Sequence, residues 1–99
     1  MKIAYRNKDI EKVCTVAFVA ERKYGTRMAE KIQQRIVQII AADNVEELIQ
    51  YGIGRCHPLH QNRKNQYAMD LVHPMRLVFE KIGDEIQIAK IIEITDYHR

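Results

Sequence analysis

The sequence predicts an α+β fold: an N-terminal helical hairpin packed on one face of a mostly antiparallel, twisted sheet. Two observations carry this. Apolar residues recur at helical spacing from Ile10 to Ile40, and after Gly52 and Gly54 the period switches to the two-residue alternation of strands. Helices first and strands afterwards place the helices on one side of a meander. The 99 residues are expected to form one domain, 1–99. A chain of that length buries about two-thirds of its unfolded surface in a single core.

Lys2 to Tyr5 is a short strand. Asn7 caps a helix whose apolar residues Ile10, Val13, Cys14, Ala17 and Phe18 share one face. Gly25 stops that helix and Thr26 caps the next. The second helix carries Ala29, Ile32, Ile36, Ile39 and Ile40 on one side, and Lys31, Gln34, Arg35 and Gln38 on the other. The Gly-Thr turn makes the two a hairpin. Asn44 and Glu47 have the spacing of a capping box, which predicts a short third helix to about Tyr51. Tyr67 to Val72 alternates as a strand, and His73-Pro74 turns the chain because proline presets its backbone angle. Met75, Leu77 and Phe79 form an apolar face, with Arg76, Val78 and Glu80 pointing the other way. Gly83-Asp84 is the next turn, after which Ile86, Ile88, Ile92 and Ile94 line one face of the last strand.

Hydrophobic residues at 46% and charged residues at 29% describe an ordinary soluble globular protein, and a net charge of +3 permits nucleic-acid binding without requiring it. No apolar stretch approaches a membrane span and Met1-Lys2-Ile3-Ala4-Tyr5 lacks a signal-peptide pattern, so a cytoplasmic protein is expected. Two cysteines are too few for a disulfide framework. Cys14 falls on an apolar helical face. Cys56-His57-x-x-His60 invites a metal site or a Cys–His nucleophile, but structural zinc takes four ligands and this run offers three crowded ones. No metal or cofactor is expected.

Two segments carry candidate chemistry. The first is Asp96-Tyr97-His98-Arg99, a carboxylate, a phenol and an imidazole following the apolar run Ile86 to Thr95. Imidazole is the side chain best suited to move protons near neutral pH, and a neighbouring carboxylate can orient it. The second runs from Arg55 to Tyr67 and holds Arg55, His57, His60, Arg63, Lys64 and Tyr67. No acidic residue occurs between Leu48 and Met69, although the chain has 13. Cations neutralise phosphates and rings stack on bases, so the segment suits a polyanion. Arg76 should lie on the open side of the sheet with Asp70, where its guanidinium suits a phosphate and little packing depends on it.

His57-Pro58-Leu59, Asn62-Arg63-Lys64-Asn65-Gln66-Tyr67, Met75-Arg76-Leu77-Val78-Phe79 and Asp96-Tyr97-His98, in that order and spacing, resemble the RelE/ParE superfamily of bacterial toxins, and within it the HigB (plasmid-maintenance killer) branch. The first half matches only in length and order. The resemblance implies a RelE-like fold and a toxin of a type II toxin–antitoxin system. It implies a metal-independent endoribonuclease that cuts mRNA in the A site of the 30S subunit. It also implies a HigA-like helix-turn-helix antitoxin as partner, in a hetero-oligomer. Residue by residue, His57, Arg76, Asp96, Tyr97 and His98 match the family's functional positions. Where the family's loop usually continues with lysine and glycine after Pro58-Leu59, this chain reads His60-Gln61, which removes one phosphate-binding cation.

The chemistry required is in-line attack of a 2′-hydroxyl on the adjacent phosphate. It needs a base, an acid and a cation for the phosphorane charge. His98, oriented by Asp96, and His57 are the proton-transfer groups, with the order of acid and base open. Arg76 is the clamp, with Arg55, His60, Arg63, Lys64 and Tyr67 as RNA contacts. The rival readings are a ParE-like gyrase-inhibiting toxin, a non-catalytic RNA- or ribosome-binding protein, and a toxin that no longer cuts.

Overall fold

In the computed structural model, residues 1–60 and 62–96 are described. The elements run β1 (Lys2–Tyr5), α1 (Lys8–Thr15), α2 (Ala17–Tyr24), α3 (Thr26–Ala41), α4 (Val45–Gln50), a 3₁₀ turn (Ile53–Arg55), β2 (His57–Pro58), β3 (Gln66–Asp70), β4 (Met75–Ile82) and β5 (Ile88–Asp96). The strands make one five-stranded sheet in the order β1-β5-β4-β3-β2, with β1 parallel to β5 and every other pair antiparallel. The helices cover one face, and the α+β architecture is the expected one.

The Asn7 side chain accepts from the Ile10 N–H at 2.9 Å, and Asp9 and Glu11 place negative charge against the positive end of α1. The expected long first helix breaks at Val16, whose backbone is extended. That break takes α2 out of phase with α1. Phe18, expected in the core, is therefore 62% exposed and lies under the Arg22 guanidinium. Gly25 at φ +90 links α2 to α3 in a conformation that side chains disfavour, and Thr26 is the first helical residue rather than the cap.

Helix α3 buries Met28, Ala29, Ile32, Ile36 and Ile39. Ile40, a residue past the stripe and so about 100° round the helix, is exposed instead of joining it. At α4 the Asn44 side chain accepts from the Glu47 N–H at 2.8 Å, while the Glu47 carboxylate reaches back to the Asp43 N–H. Gln87, buried, completes that helix end. Its side-chain oxygen accepts from the Val45 N–H, and its amide donates to Glu46 and to the Asp84 carbonyl, each at 2.9 Å. A buried amide so placed leaves no polar atom unsatisfied.

Between the layers lie Phe79, Leu77, Met69 and Ile91 from the sheet, and Ile32, Ile39, Val45 and Leu48 from the helices. The last strand differs from expectation. Ile86 precedes β5 and is 85% exposed, and Ala89 and Ile91 face the core in place of Ile88 and Ile92. A register shift explains the phase: Val78 pairs with Glu93 but Phe79 pairs with Ile91, so Ile92 is the extra residue of a bulge. Beyond the bulge the phase is restored, and Ile94 packs on the core as expected. Among the described residues no helix is long and apolar enough to cross a membrane.

Candidate functional site

Strand alternation builds the site. In β3 and β4 the paired residues Tyr67 with Phe79 and Met69 with Leu77 face the helices, so their neighbours Ala68, Val78, Asp70 and Arg76 face the other way. The bulge keeps Glu93 and Thr95 of β5 on that same open side. A groove of about 370 Å³ results. Its floor is Ala68 and Val78, both buried although they lie outside the main core. His57, Arg76 and Asp96 line it together with His60 and Arg63, so five of the residues singled out from sequence converge there.

His57 sits at the start of β2, paired with Ala68. Its Nε2 lies 3.1 Å from Arg76 Nη1, and its Nδ1 lies 2.7 Å from the Arg55 carbonyl oxygen. A guanidinium only donates and a carbonyl only accepts, so the network assigns the proton to Nδ1 and the lone pair to Nε2. Arg55 is left-handed, at φ +52, an uncommon conformation for a residue with a side chain. That backbone, following Gly52 and Gly54, turns its carbonyl to the imidazole. The sequence shows the glycines but not this consequence.

Arg76 is held more tightly than expected. Its Nε lies 3.6 Å from Asp70 Oδ1, and only 11% of its side chain is exposed, so packing does depend on it. Asp70 also accepts from Arg55, with Nε at 2.5 Å and Nη2 at 3.3 Å. Burial works against the Asp70 carboxylate, but the Arg55 hydrogen bond and the charges of Arg55, Arg76 and His57 hold it below the ordinary range. Across the groove Arg63 pairs with Glu93. The Arg55 side chain is 69% exposed. Pairs of that kind contribute about 0–1 kcal/mol, so Arg55 and Arg63 can exchange their carboxylates for phosphates at small cost.

The placements expected for Tyr67 and Arg55 are corrected, and Cys56, already disfavoured as a reactive group from sequence, is located. Tyr67 is not on the groove: its register with Phe79 puts it on the helix side, where the two rings stack with centroids 5.7 Å apart. Cys56 is buried in the core, away from His57 and His60, and burial pushes its thiol up to about 12. A buried thiol that stays protonated at neutral pH is a poor nucleophile and a poor ligand. Arg55 lines a smaller pit of about 120 Å³ with Asp70, His73 and Arg76, next to the main groove rather than in it. Lys64 is exposed on the β2–β3 turn. Tyr97 and His98, named from the C-terminal motif, lie outside the described residues, as does Gln61. Glu93 was missed from sequence, although a lone acid inside an apolar run is a legible signal. Asp70 was placed on the open face but given no role.

Neither a protein-family model nor a curated protein matches the chain. Solved structures do. A YoeB/ParE toxin from Agrobacterium tumefaciens superposes with a TM-score of 0.67 at 18% identity, covering 98% of this chain and 99% of that one. A YoeB dimer from Staphylococcus aureus superposes with a TM-score of 0.65 at 22% identity, covering 100% of this chain and 98% of that one. The fold is therefore that of these toxin structures, the RelE-like arrangement that the motifs imply.

Proposed function

We propose that the chain is the toxin of a type II toxin–antitoxin system and cleaves mRNA on the ribosome. One observation carries the reading: a basic imidazole nitrogen and a guanidinium, 3.1 Å apart, converge on an open groove in a fold shared with YoeB and ParE toxin structures.

The 2′-hydroxyl attacks the neighbouring phosphate in line, giving a 2′,3′-cyclic phosphate and a free 5′-hydroxyl. His57 takes the 2′ proton, for which the tautomer with a lone pair on Nε2 is suited. The substrate takes the place of the contact between Arg76 Nη1 and His57 Nε2, and Arg76, which already lines the groove, steadies the charge that develops on the phosphate. His98, with Asp96 beside it in sequence, protonates the leaving oxygen, and Tyr97 stacks on a base; these last roles rest on the resemblance of the C-terminal motif. No step calls for a metal. The basic stretch is short and the net charge only +3, so affinity for free RNA is weak and salt-sensitive. The ribosome then supplies the substrate in register. The same reading supplies a HigA-like antitoxin as partner and a cytoplasmic place of action, and assigns the chain to the HigB branch on the motifs of its second half.

Mapping mRNA 5′ ends after induction in bacteria, with and without translation, tests this. New ends that appear only on translated messages support it, whereas brisk cutting of naked RNA by the purified protein counts against it. The ParE name carried by the Agrobacterium structure favours a second reading, inhibition of gyrase. A supercoiling assay separates the two, since that activity has no use for His57.

A further inference from the structure

We infer that Asp70 is the positioning residue that aims Arg76, and through it His57, into the groove. Its effect on rate rests on the nuclease reading above; its geometry does not.

Asp70 pairs with Arg76 across the β3–β4 register, and its Oδ1 lies 3.6 Å from Arg76 Nε. An arginine is a long, rotamer-rich side chain with a rigid, planar head. Ion-paired with a carboxylate on its Nε side, the head presents its outer edge in one direction, and here that edge points Nη1 at His57 Nε2. Asp70 is itself fixed from two sides. Its second carboxylate oxygen takes the Arg55 Nε, and its peptide carbonyl accepts from Arg35 Nε at 2.7 Å. Arg35 comes from α3, in the helical layer, and Gly54 makes room for it. A Cβ at position 54 would stand 2.8 Å from Arg35 Nε and 3.0 Å from Cζ. A line of contacts thus crosses the sheet, from Arg35 through Asp70 and Arg76 to His57. Asp70 lines the smaller pit and not the groove that holds His57, so it acts through Arg76 rather than on the substrate. Its carboxylate stays charged at neutral pH, as that task requires.

Asp70→Asn keeps the shape and removes the charge, and thermal unfolding verifies that the variant is folded. Two measurements then decide. The first is exchange with water of the Arg76 Nε–H, read by nuclear magnetic resonance; removing the negative charge 3.6 Å away should speed its base-catalysed exchange by about tenfold. The second is cleavage of ribosome-bound mRNA in wild type, Asp70→Asn, Arg76→Lys and the double variant. Asp70→Asn should lower kcat about 10- to 100-fold with KM nearly unchanged. In the Arg76→Lys background, which has no Nε to hold, the same change should add no more than about twofold. Equal losses in both backgrounds, or unaltered exchange at Arg76 Nε, would overturn the inference. If the wild-type chain cuts no mRNA, the nuclease reading fails, and exchange at Arg76 decides the positioning role alone.

Discussion

Replacing Arg76 by alanine separates what this side chain holds together from what it does. With 11% of the side chain exposed, its aliphatic stem is largely out of water, worth about 2 kcal/mol at roughly 0.8 kcal/mol per methylene. The hydrogen bond from Nη1 to His57 adds about 1 kcal/mol. Against these stands the rotamer freedom that a buried arginine gives up, about 1.5–2 kcal/mol, which the variant regains. Asp70 is not stranded, because Arg55 still reaches both of its oxygens. The roughly 3–5 kcal/mol penalty for an uncompensated buried charge therefore does not arise. The net loss is about 1–1.5 kcal/mol, which lowers Tm by roughly 5–10 °C in a domain of this size. Cleavage should fall far further, about 10²–10³-fold, the usual consequence of removing one donor to the transition state. Thermal unfolding and cleavage of ribosome-bound mRNA by the same preparation give both numbers. A fall in Tm beyond about 20 °C would make Arg76 a structural residue first. Cleavage within about threefold of wild type would remove it from the mechanism.

Truncation after Tyr97, or His98→Ala, should lower cleavage about 10²–10⁴-fold while folding and antitoxin binding survive; near-normal cleavage would transfer proton movement to His57 and Asp96. Acid should destabilise the protein through two carboxylates. Asp70 is held below its ordinary 3.8, burial being outweighed by Arg55, Arg76 and His57, and Glu46 below 4.5 by the Gln87 amide, its own backbone and Lys81. A depressed folded pKa gives stability that is complete above the unfolded value and lost as pH falls through the folded one, so Tm should drop between about pH 5 and pH 2. Asp70→Asn should flatten that drop, and a Tm that the variant leaves equally steep would refute the assignment. Burial pushes both thiols up to about 12, so iodoacetamide at about pH 8 should label neither Cys14 nor Cys56 in the folded protein. Rapid native labelling of Cys56 would restore it as a candidate nucleophile.

Much was legible in the sequence because much of it is local. Asn7 and Asn44 cap their helices through bonds that span three residues, and the spacing of Ala29, Ile32, Ile36 and Ile39 marks the buried stripe of α3 wherever that helix packs. The alternation of Met75, Arg76 and Leu77 likewise sent Arg76 to the open face before any partner was known. What stayed hidden depends on residues far apart in the chain. The phase of β5 turns on one bulged residue opposite Val78 and Phe79, and a single-residue slip exchanges the faces of a strand. Tyr67 reads as a ring in a basic loop until its pairing with Phe79 claims it for the core. Residue types, together with the resemblance of the motifs that hold them, named His57, Arg76 and Asp96 as groups able to move protons and hold a phosphate. Only the pairing of β2, β3, β4 and β5 put them in one groove with Arg63 and His60. Only packing from α3 set Arg35 behind Asp70, because contacts at separations of 15 to 35 residues follow from the fold as a whole and leave no period for a sequence to show.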